Sequence, residues 1–445
     1  MSETLQSPTH RKERARRRRQ LMKIIGDNSI AILQSAPVQT RSRDTEYRYR
    51  QDSDFYYLSG FEEPESLIVL LPGRDAGEYI VFCRERDALK ETWHGRRVGV
   101  ERAPQVLDAD DAFPIGDIDE ILPGLLEGRE RIYHSLGKAT EFDQQLLEWL
   151  NQVKMTNRSS ALVPSAFIAL DYHLHEMRVQ KSRSELSVMK QAAKISANGH
   201  RAAMQACRPG LMEHELEAEL ISTYRRAGAT HAFLPIVGSG ENGCILHYTE
   251  NCSELTDGEL VLVDSGAEYM GYAGDITRTY PVNGVFSDAQ RDIYSLVLEA
   301  QLAAIDAVKP GALWNDPHEA AIRVLNRGLV SLGLLKGTPA KELKEQGYAR
   351  FYMHRTSHWL GLDVHDVGEY KIDEEWRELE PGMVLTIEPG LYIAPGRGVP
   401  RRYAGIGVRI EDDVVVTRSG HEVITRQVPK SIDEIEALMA ENDSS

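Results

Sequence analysis

Four acidic side chains stand where the surrounding sequence should exclude them. Asp264 ends the apolar run "LVLVDSG", and Asp275 follows eleven positions later across a glycine-rich turn. Glu388 closes "MVLTIEPG", and Glu411 closes "GVRIEDD". Each run reads as a strand, and side chains two apart share a face. Asp264 then points with Leu262, Asp275 with Thr277, Glu388 with Val384 and Thr386, and Glu411 with Gly407 and Arg409. A buried unpaired charge is expensive to desolvate, so any one of these acids is equally well explained by an arginine or a backbone N–H beside it. Four on neighbouring strands are harder to explain in that way. Two carboxylates ~5 Å apart repel by about 3 kcal/mol at an effective dielectric near 20. They can all stay ionised only with cations between them.

The second chemically loaded stretch is "FYMHRTSHWLGLDVHDVGE", with His354, His358 and His365 within twelve residues. Its glycines and polar residues suit neither a strand nor a regular helix, so it should form a loop over a site. Alone, such a loop is weak evidence. Beside converging acids it offers imidazole for metal ligation and proton handling near neutrality. Four carboxylates and one imidazole are mostly hard oxygen donors, a set that suits manganese or a similar divalent ion better than a thiolate-type zinc site. Two divalent ions would cancel the four negative charges. Adjacent cations also lower the pKa of a shared water so that hydroxide exists near pH 7, and they polarise a nearby carbonyl. That chemistry is hydrolysis.

Other elements must position these groups. At 445 residues the chain exceeds the usual size of one domain, so two are expected. With 42% hydrophobic and 27% charged residues it has an ordinary globular composition. No stretch approaches the roughly 18 apolar residues of a membrane span, and the start lacks a signal peptide's continuous apolar segment. We therefore expect a cytoplasmic protein with no membrane partner. Cys83, Cys207, Cys244 and Cys252 make neither a disulfide framework nor a paired zinc spacing, and read as reduced thiols. Residues 1–50 carry 12 Lys+Arg against 5 Asp+Glu, or +7, which leaves −23 for the remaining 395 against a total of −16. An acidic body repels nucleic acid. The arginine run "RKERARRRR" is better read as a solvated first helix, or as a contact with the acidic body or a neighbouring subunit.

Periodicity divides the chain near residue 178. Residues 30–180 mix short β-rich runs, such as "SLIVLLPG" and "EYIVFCRERD", with helical stretches, as in an α/β domain. Then "KSRSELSVMKQAAKISANGHRAAMQAC" opens with Ser182 and Glu185 at capping-box spacing and keeps helical periodicity up to "RPG". Further helices are expected over roughly 212–227, 288–308 and 315–333, around a hairpin at 259–281 and later strands. Few connections look like parallel crossovers. The expected fold class is α+β: residues 1–177 form a smaller α/β domain, and residues 178–445 form a catalytic domain with a curved antiparallel sheet and helices on one side.

The paired aspartates, the histidine of "SHWLGLDVH" and the glutamates of "TIEPGLY" and "GVRIEDD" resemble the dinuclear metallopeptidases of the pita-bread fold, which include methionine aminopeptidase, prolidase and aminopeptidase P. "YRQDSDFYYLSGFEEPES", "WHGRRVG" and "VGSGENGCILHYTEN" extend the resemblance over nearly the whole chain, most closely to the bacterial aminopeptidase P type. It implies that Asp264, Asp275, His358, Glu388 and Glu411 hold two divalent ions, most simply manganese with zinc or cobalt as alternatives, and that Asp275 and Glu411 bridge them. His247 and His365 match histidines that contact substrate and the developing oxyanion. His354 matches one beside the substrate proline, with Tyr392 and Arg409 near it. Trp93, Asp44 and Arg158 match N-terminal residues that reach an active site in a homo-oligomer, a tetramer or dimer. Glu388 is the implied general base. The substrates implied are peptides with proline in second position, cut at the N-terminal bond. Prolidase, which prefers dipeptides, is the nearest rival, and a pita-bread module that only binds other molecules is a more distant one. Arg355, Thr356 and Phe233 depart from the usual pattern and touch pocket detail only.

Overall fold

The computed structural model describes residues 7–156 and 162–441. The chain divides into two compact units, Met1–Met177 and Arg178–Ser445. The four cysteines are free. Among the described residues, no helix is long and apolar enough to cross a membrane.

The first unit is built on a six-stranded sheet whose spatial order is Asp111–Pro114, Tyr79–Cys83, Leu67–Leu70, Ser29–Gln34, Arg131–His134 and Ala166–Ala169. Its pairings are mixed, antiparallel among the second, third and fourth of these strands and parallel elsewhere. Ile30, Ile32, Val69, Ile80, Phe82, Leu146 and Trp149 fill its core. The arginine run lies on a helix, Pro8–Ile25, that is solvated on one side only: Lys12, Arg16 and Arg19 are exposed, whereas Arg14, Arg17 and Arg18 are buried. Arg17 and Arg18 donate to the carbonyls of Tyr57 and Leu58 at 2.9 and 2.8 Å, and each guanidinium stacks 4.0 Å from a tyrosine ring, Tyr57 and Tyr79 respectively. Arginine tolerates this burial because its planar head is weakly hydrated and stacks well.

In the second unit every strand pairing is antiparallel. The Arg183–Ala206 helix starts with the capping box of Ser182 and Glu185, and the helices Glu213–Arg226, Asp288–Ala307 and Asp316–Ser331 follow. Their apolar faces join those of the strands in one core that includes Leu220, Tyr224, Tyr294, Val297, Leu325 and Trp359.

Two features of this unit position the acids. The strand Leu260–Ser265 lies between Ile236–Ser239 and Ile276–Pro281, with Asp264 opposite Thr277. The chain reverses between its two long strands through a small hairpin, Ala267–Tyr269 with Tyr272–Ala273, whose turn residues Met270 and Gly271 have φ of 52° and 80°, the mirror-image turn that hairpins favour. A Cβ on Gly266 would stand 1.6 Å from the carbonyl oxygen of Gly274, so only glycine lets the limbs close just past Asp264 and just before Asp275.

The second feature differs from the sequence reading, which treats "MVLTIEPGLYI" and "GIGVRIEDDVVVT" as single strands. Val384–Ile387 pairs with Asp412–Val416, and Gly390–Ile393 pairs with Ile406–Arg409. The ladder is interrupted on both sides at once, at Glu388-Pro389 and at Ile410-Glu411. Pro389 has no N–H to give the ladder, and only its carbonyl is used, by Ile410 N at 3.3 Å. Both glutamates therefore stand at a break, where the pleat no longer dictates direction.

Candidate metal centre

Asp264, Asp275, Glu388 and Glu411 line one cavity of about 760 Å³, together with His247, His354, His358, His365 and Arg409. Asp275, His358 and Glu411 each offer a ligand atom within 4.8 Å of the others. His358 Nε2 lies 3.4 Å from Asp275 Oδ2 and 3.7 Å from Glu388 Oε1. The loop that carries His358 is held like a further strand: Thr386 N donates to His358 O at 3.0 Å, and Glu388 N to Thr356 O at 2.8 Å. His358 Nδ1 is 2.9 Å from the carbonyl of Trp359, which makes Nδ1 the protonated nitrogen and turns the Nε2 lone pair toward the carboxylates.

Arg409 reaches the side chains of these acids from the cavity wall. Its Nη2 donates to Asp264 Oδ2 at 2.6 Å, its Nε to Thr277 Oγ1 at 3.1 Å and its Nη1 to Tyr392 Oη at 2.9 Å. Thr277 passes the tie on, donating to Glu411 Oε2 at 2.7 Å. One cation does not satisfy the set. Asp264 Oδ1 and Asp275 Oδ1 are buried without a hydrogen-bond partner, a costly state for a charged oxygen. Burial raises the pKa of Asp275 well above the carboxylate range, and the charges of Asp264, Asp413 and Glu388 add to it. Glu411 is raised well above that range too, by burial and then by Asp275, Glu388 and Asp264, and Arg409 opposes both shifts. Glu388 is raised chiefly by burial, against the pull of His358 and Arg409. Orphaned carboxylate oxygens, one imidazole lone pair and excess negative charge are what hard divalent cations fit.

A second cluster adjoins the acids. His354 Nδ1 lies 2.7 Å from the carbonyl of Arg355, so Nε2, 2.8 Å from Tyr392 Oη, must accept. Protons therefore point in one direction, from Arg409 to Tyr392 to His354. Burial, followed by the charge of Arg409, lowers His354 to about 3, and burial raises Tyr392 to about 12. Both are neutral at physiological pH. His365 is lowered by burial and by His358, whose ring it meets edge-on at 4.4 Å.

Of the N-terminal residues singled out in the sequence, Trp93 is 77% exposed on the helix Ala88–His94, and Asp44 is exposed at the turn of the hairpin Thr40–Ser42 with Thr45–Glu46. Neither lines this cavity. Arg158 lies outside the described residues. Sequence reasoning missed Thr277 as the link between Arg409 and Glu411. It also missed Asp413, which is buried and accepts from Asp275 N at 3.1 Å. It missed the support behind Glu411 as well, where Arg278, fully buried, holds Asp412 at 2.8 Å and Lys430 approaches the same carboxylate at 2.7 Å. The signal available was "RIEDD" itself, three consecutive acids ahead of an apolar strand.

Fold and site together define a two-part metallopeptidase. The model of metallopeptidase family M24 matches residues 187–418, and that of the aminopeptidase P N-terminal domain matches residues 14–133. The chain belongs to metallopeptidase family M24, and its second unit has the pita-bread fold of that family. It is 46% identical over 435 residues to the Xaa-Pro aminopeptidase of Escherichia coli, covering 97% of this chain and 98% of that one. Among solved structures it matches the aminopeptidase PepP of Pseudomonas aeruginosa with a TM-score of 0.97 and 55% identity, over 98% of this chain and 99% of that one. A substrate-bound aminopeptidase P from Escherichia coli matches with a TM-score of 0.95 and 46% identity, over 98% and 99%.

Proposed function

We propose that this protein is a metal-dependent aminopeptidase that hydrolyses the bond between an N-terminal residue and a following proline. The observation that carries this reading is the gathering of Asp264, Asp275, His358, Glu388 and Glu411 on one cavity, with two buried carboxylate oxygens left unpartnered, in a chain that aligns almost end to end with Xaa-Pro aminopeptidases. These five side chains are the proposed ligands of two divalent ions, with Asp275 and Glu411 shared between them. The oxygen-rich donor set favours manganese. Bound there, the ions would acidify a water and polarise the scissile carbonyl.

The chain's own residues do the rest. Glu388, on the cavity wall beside the ion site, takes the proton from the attacking water. His247 and His365, on the cavity wall, donate to the oxyanion, a contribution of ~3 kcal/mol per donor. Arg409 fixes Asp264 directly and Glu411 through Thr277, so removing it would loosen two ligands at once. His354, with Tyr392 and Arg409 behind it, forms a neutral wall for the proline ring. A bond to proline has no amide N–H, so this wall needs shape and no acceptor for that donor. Trp93, Asp44 and Arg158 are proposed to act on the site of a neighbouring copy in a homo-oligomer.

The test is one plate of Xaa-Pro tripeptides, Xaa-Pro dipeptides and a Met-Ala peptide, after EDTA treatment and with Mn2+ added back. Cleavage of the tripeptides only when Mn2+ is present supports the reading. Preference for dipeptides would make the enzyme a prolidase. Full turnover in EDTA-treated, metal-free protein would refute the metal mechanism.

A further inference from the structure

The cavity has two electrically different ends. Its buried part is anionic, with Asp264, Asp275 and Glu411. Its exposed part carries Arg355. The Arg355 guanidinium is held in place, with Nη1 donating to Asn315 Oδ1 at 2.9 Å and its centre 5.4 Å from the ring of Trp376, which also lines the cavity. Lys371 Nζ stands 4.8 Å from the same ring. Among the described residues, Arg355 has no carboxylate within ion-pair distance, although the chain has 68 acids. A guanidinium that is oriented, exposed on a cavity wall and free on its other nitrogens is built to receive a carboxylate in its fork.

The source of that carboxylate is the substrate of the proposed peptidase reaction, and the role of Arg355 rests on that reading. The free amine of the substrate is drawn to the acidic end, so the rest of the peptide leaves through the exposed end. Arg355 follows His354 directly, one Cα step of ~3.8 Å away, and an extended peptide advances about 3.4 Å per residue. A group one or two residues beyond the proline is therefore within the reach of its side chain. We propose that Arg355 recognises a carboxylate on the departing part of the substrate and so determines specificity. The carboxylate is either the C-terminus of a short peptide or an aspartate or glutamate side chain after the proline.

The experiment measures kcat/KM with Mn2+ for two substrate pairs, Ala-Pro-Ala acid against its amide and Ala-Pro-Asp-amide against Ala-Pro-Asn-amide. The wild type should favour the acidic member of at least one pair by about five-fold, what a partly exposed ion pair supplies, with the difference in KM. The pair that shows it identifies the source. Arg355→Gln should bring that ratio to about one, Arg355→Lys should keep part of it, and Arg355→Glu should invert it. Raising salt should shrink it in the wild type. Ratios near one for both pairs in the wild type, or an unchanged ratio in Arg355→Gln, would overturn the proposal while leaving the peptidase reading intact. Failure of the wild type to cleave any of the four peptides would instead remove the peptidase reading, and this proposal with it.

Discussion

Asp275→Asn should have opposite effects on stability with and without metal. Asparagine keeps the shape of the side chain and removes one of the crowded charges. The ligand atoms of Asp275, His358 and Glu411 lie within 4.8 Å of one another, and a carboxylate pair at that separation repels by about 3.5 kcal/mol at an effective dielectric of 20. The sign comes from the direction of the shift. The folded-state pKa of Asp275 is raised above its unfolded value, by burial and then by Asp264, Asp413 and Glu388, so ionising it opposes folding. That penalty is absent below about pH 4, the ordinary aspartate pKa. It grows as pH rises and levels off once the folded-state pKa is passed. In EDTA, then, the variant and wild type should have the same urea midpoint near pH 4, and the variant should be the more stable by about 1–3 kcal/mol at pH 8, part of the Coulomb figure being screened or relieved by Arg409. With Mn2+ at a hundred times its Kd the wild type gains about 2.7 kcal/mol for each of the two ions, and the variant should gain almost nothing. Urea denaturation across this pH range, with and without metal, reads all four quantities. A variant less stable than wild type in EDTA at pH 8, or one that keeps the full Mn2+ gain, would refute the idea that these carboxylates are gathered for cations.

Tyr392→Phe removes the hydroxyl between Arg409 and His354; kcat/KM should fall about tenfold, the equivalent of one hydrogen bond to a charged group, with metal content by elemental analysis unchanged. His365→Ala should lower kcat by roughly a hundredfold and leave the ions bound, and loss of the metal instead would reassign His365 as a ligand. Acidification should release the ions, because protons compete for the same carboxylates. Since Asp275, Glu388 and Glu411 are all raised, release on dialysis should begin above the ordinary carboxylate range, and retention of both ions down to pH 4 would contradict the assignment.

The acids differ in how far their sequence betrays their position, and the reason lies in backbone geometry. Asp264 ends a regular strand and Asp275 leads into the next, so alternation alone gives Asp264 the face of Leu262 and Asp275 the face of Thr277, while the register that sets Asp264 opposite Thr277 comes from the fold. Glu388 and Glu411 sit at a double interruption of the ladder. Alternation put them on the inner face, but nothing local shows that a proline on one strand and an Ile410-Glu411 step on the other would fall opposite each other. That is a matter of register between segments more than twenty residues apart, and register is set by the whole sheet. The Arg183–Ala206 helix and its capping box were legible because a cap is a contact between residues three apart.

The charges that support the site show the limit most sharply. Arg278, Asp412 and Lys430 look like surface residues in composition, yet Arg278 and Asp412 are fully buried and hydrogen-bonded, and Arg278 also donates to the carbonyl of Glu411. Asp412 has its pKa driven far below the usual range by Arg278 and Lys430 despite its burial, whereas its neighbour Asp413, without an ion-pair partner among the described residues, is driven up by burial. Adjacent residues in "EDD" thus play three parts: Glu411 faces the cavity, Asp412 anchors the strand to its cationic backing, and Asp413 accepts the backbone N–H of Asp275. Electrostatic compensation is the rule for Glu411 and Asp412, while Asp413 takes the other course and rises in pKa, and only the geometry of separate segments decides whether a compensating charge is a guanidinium, an ammonium or a bound divalent ion. A cluster of acids in an apolar run therefore announces that positive charge is needed and leaves its kind to the fold.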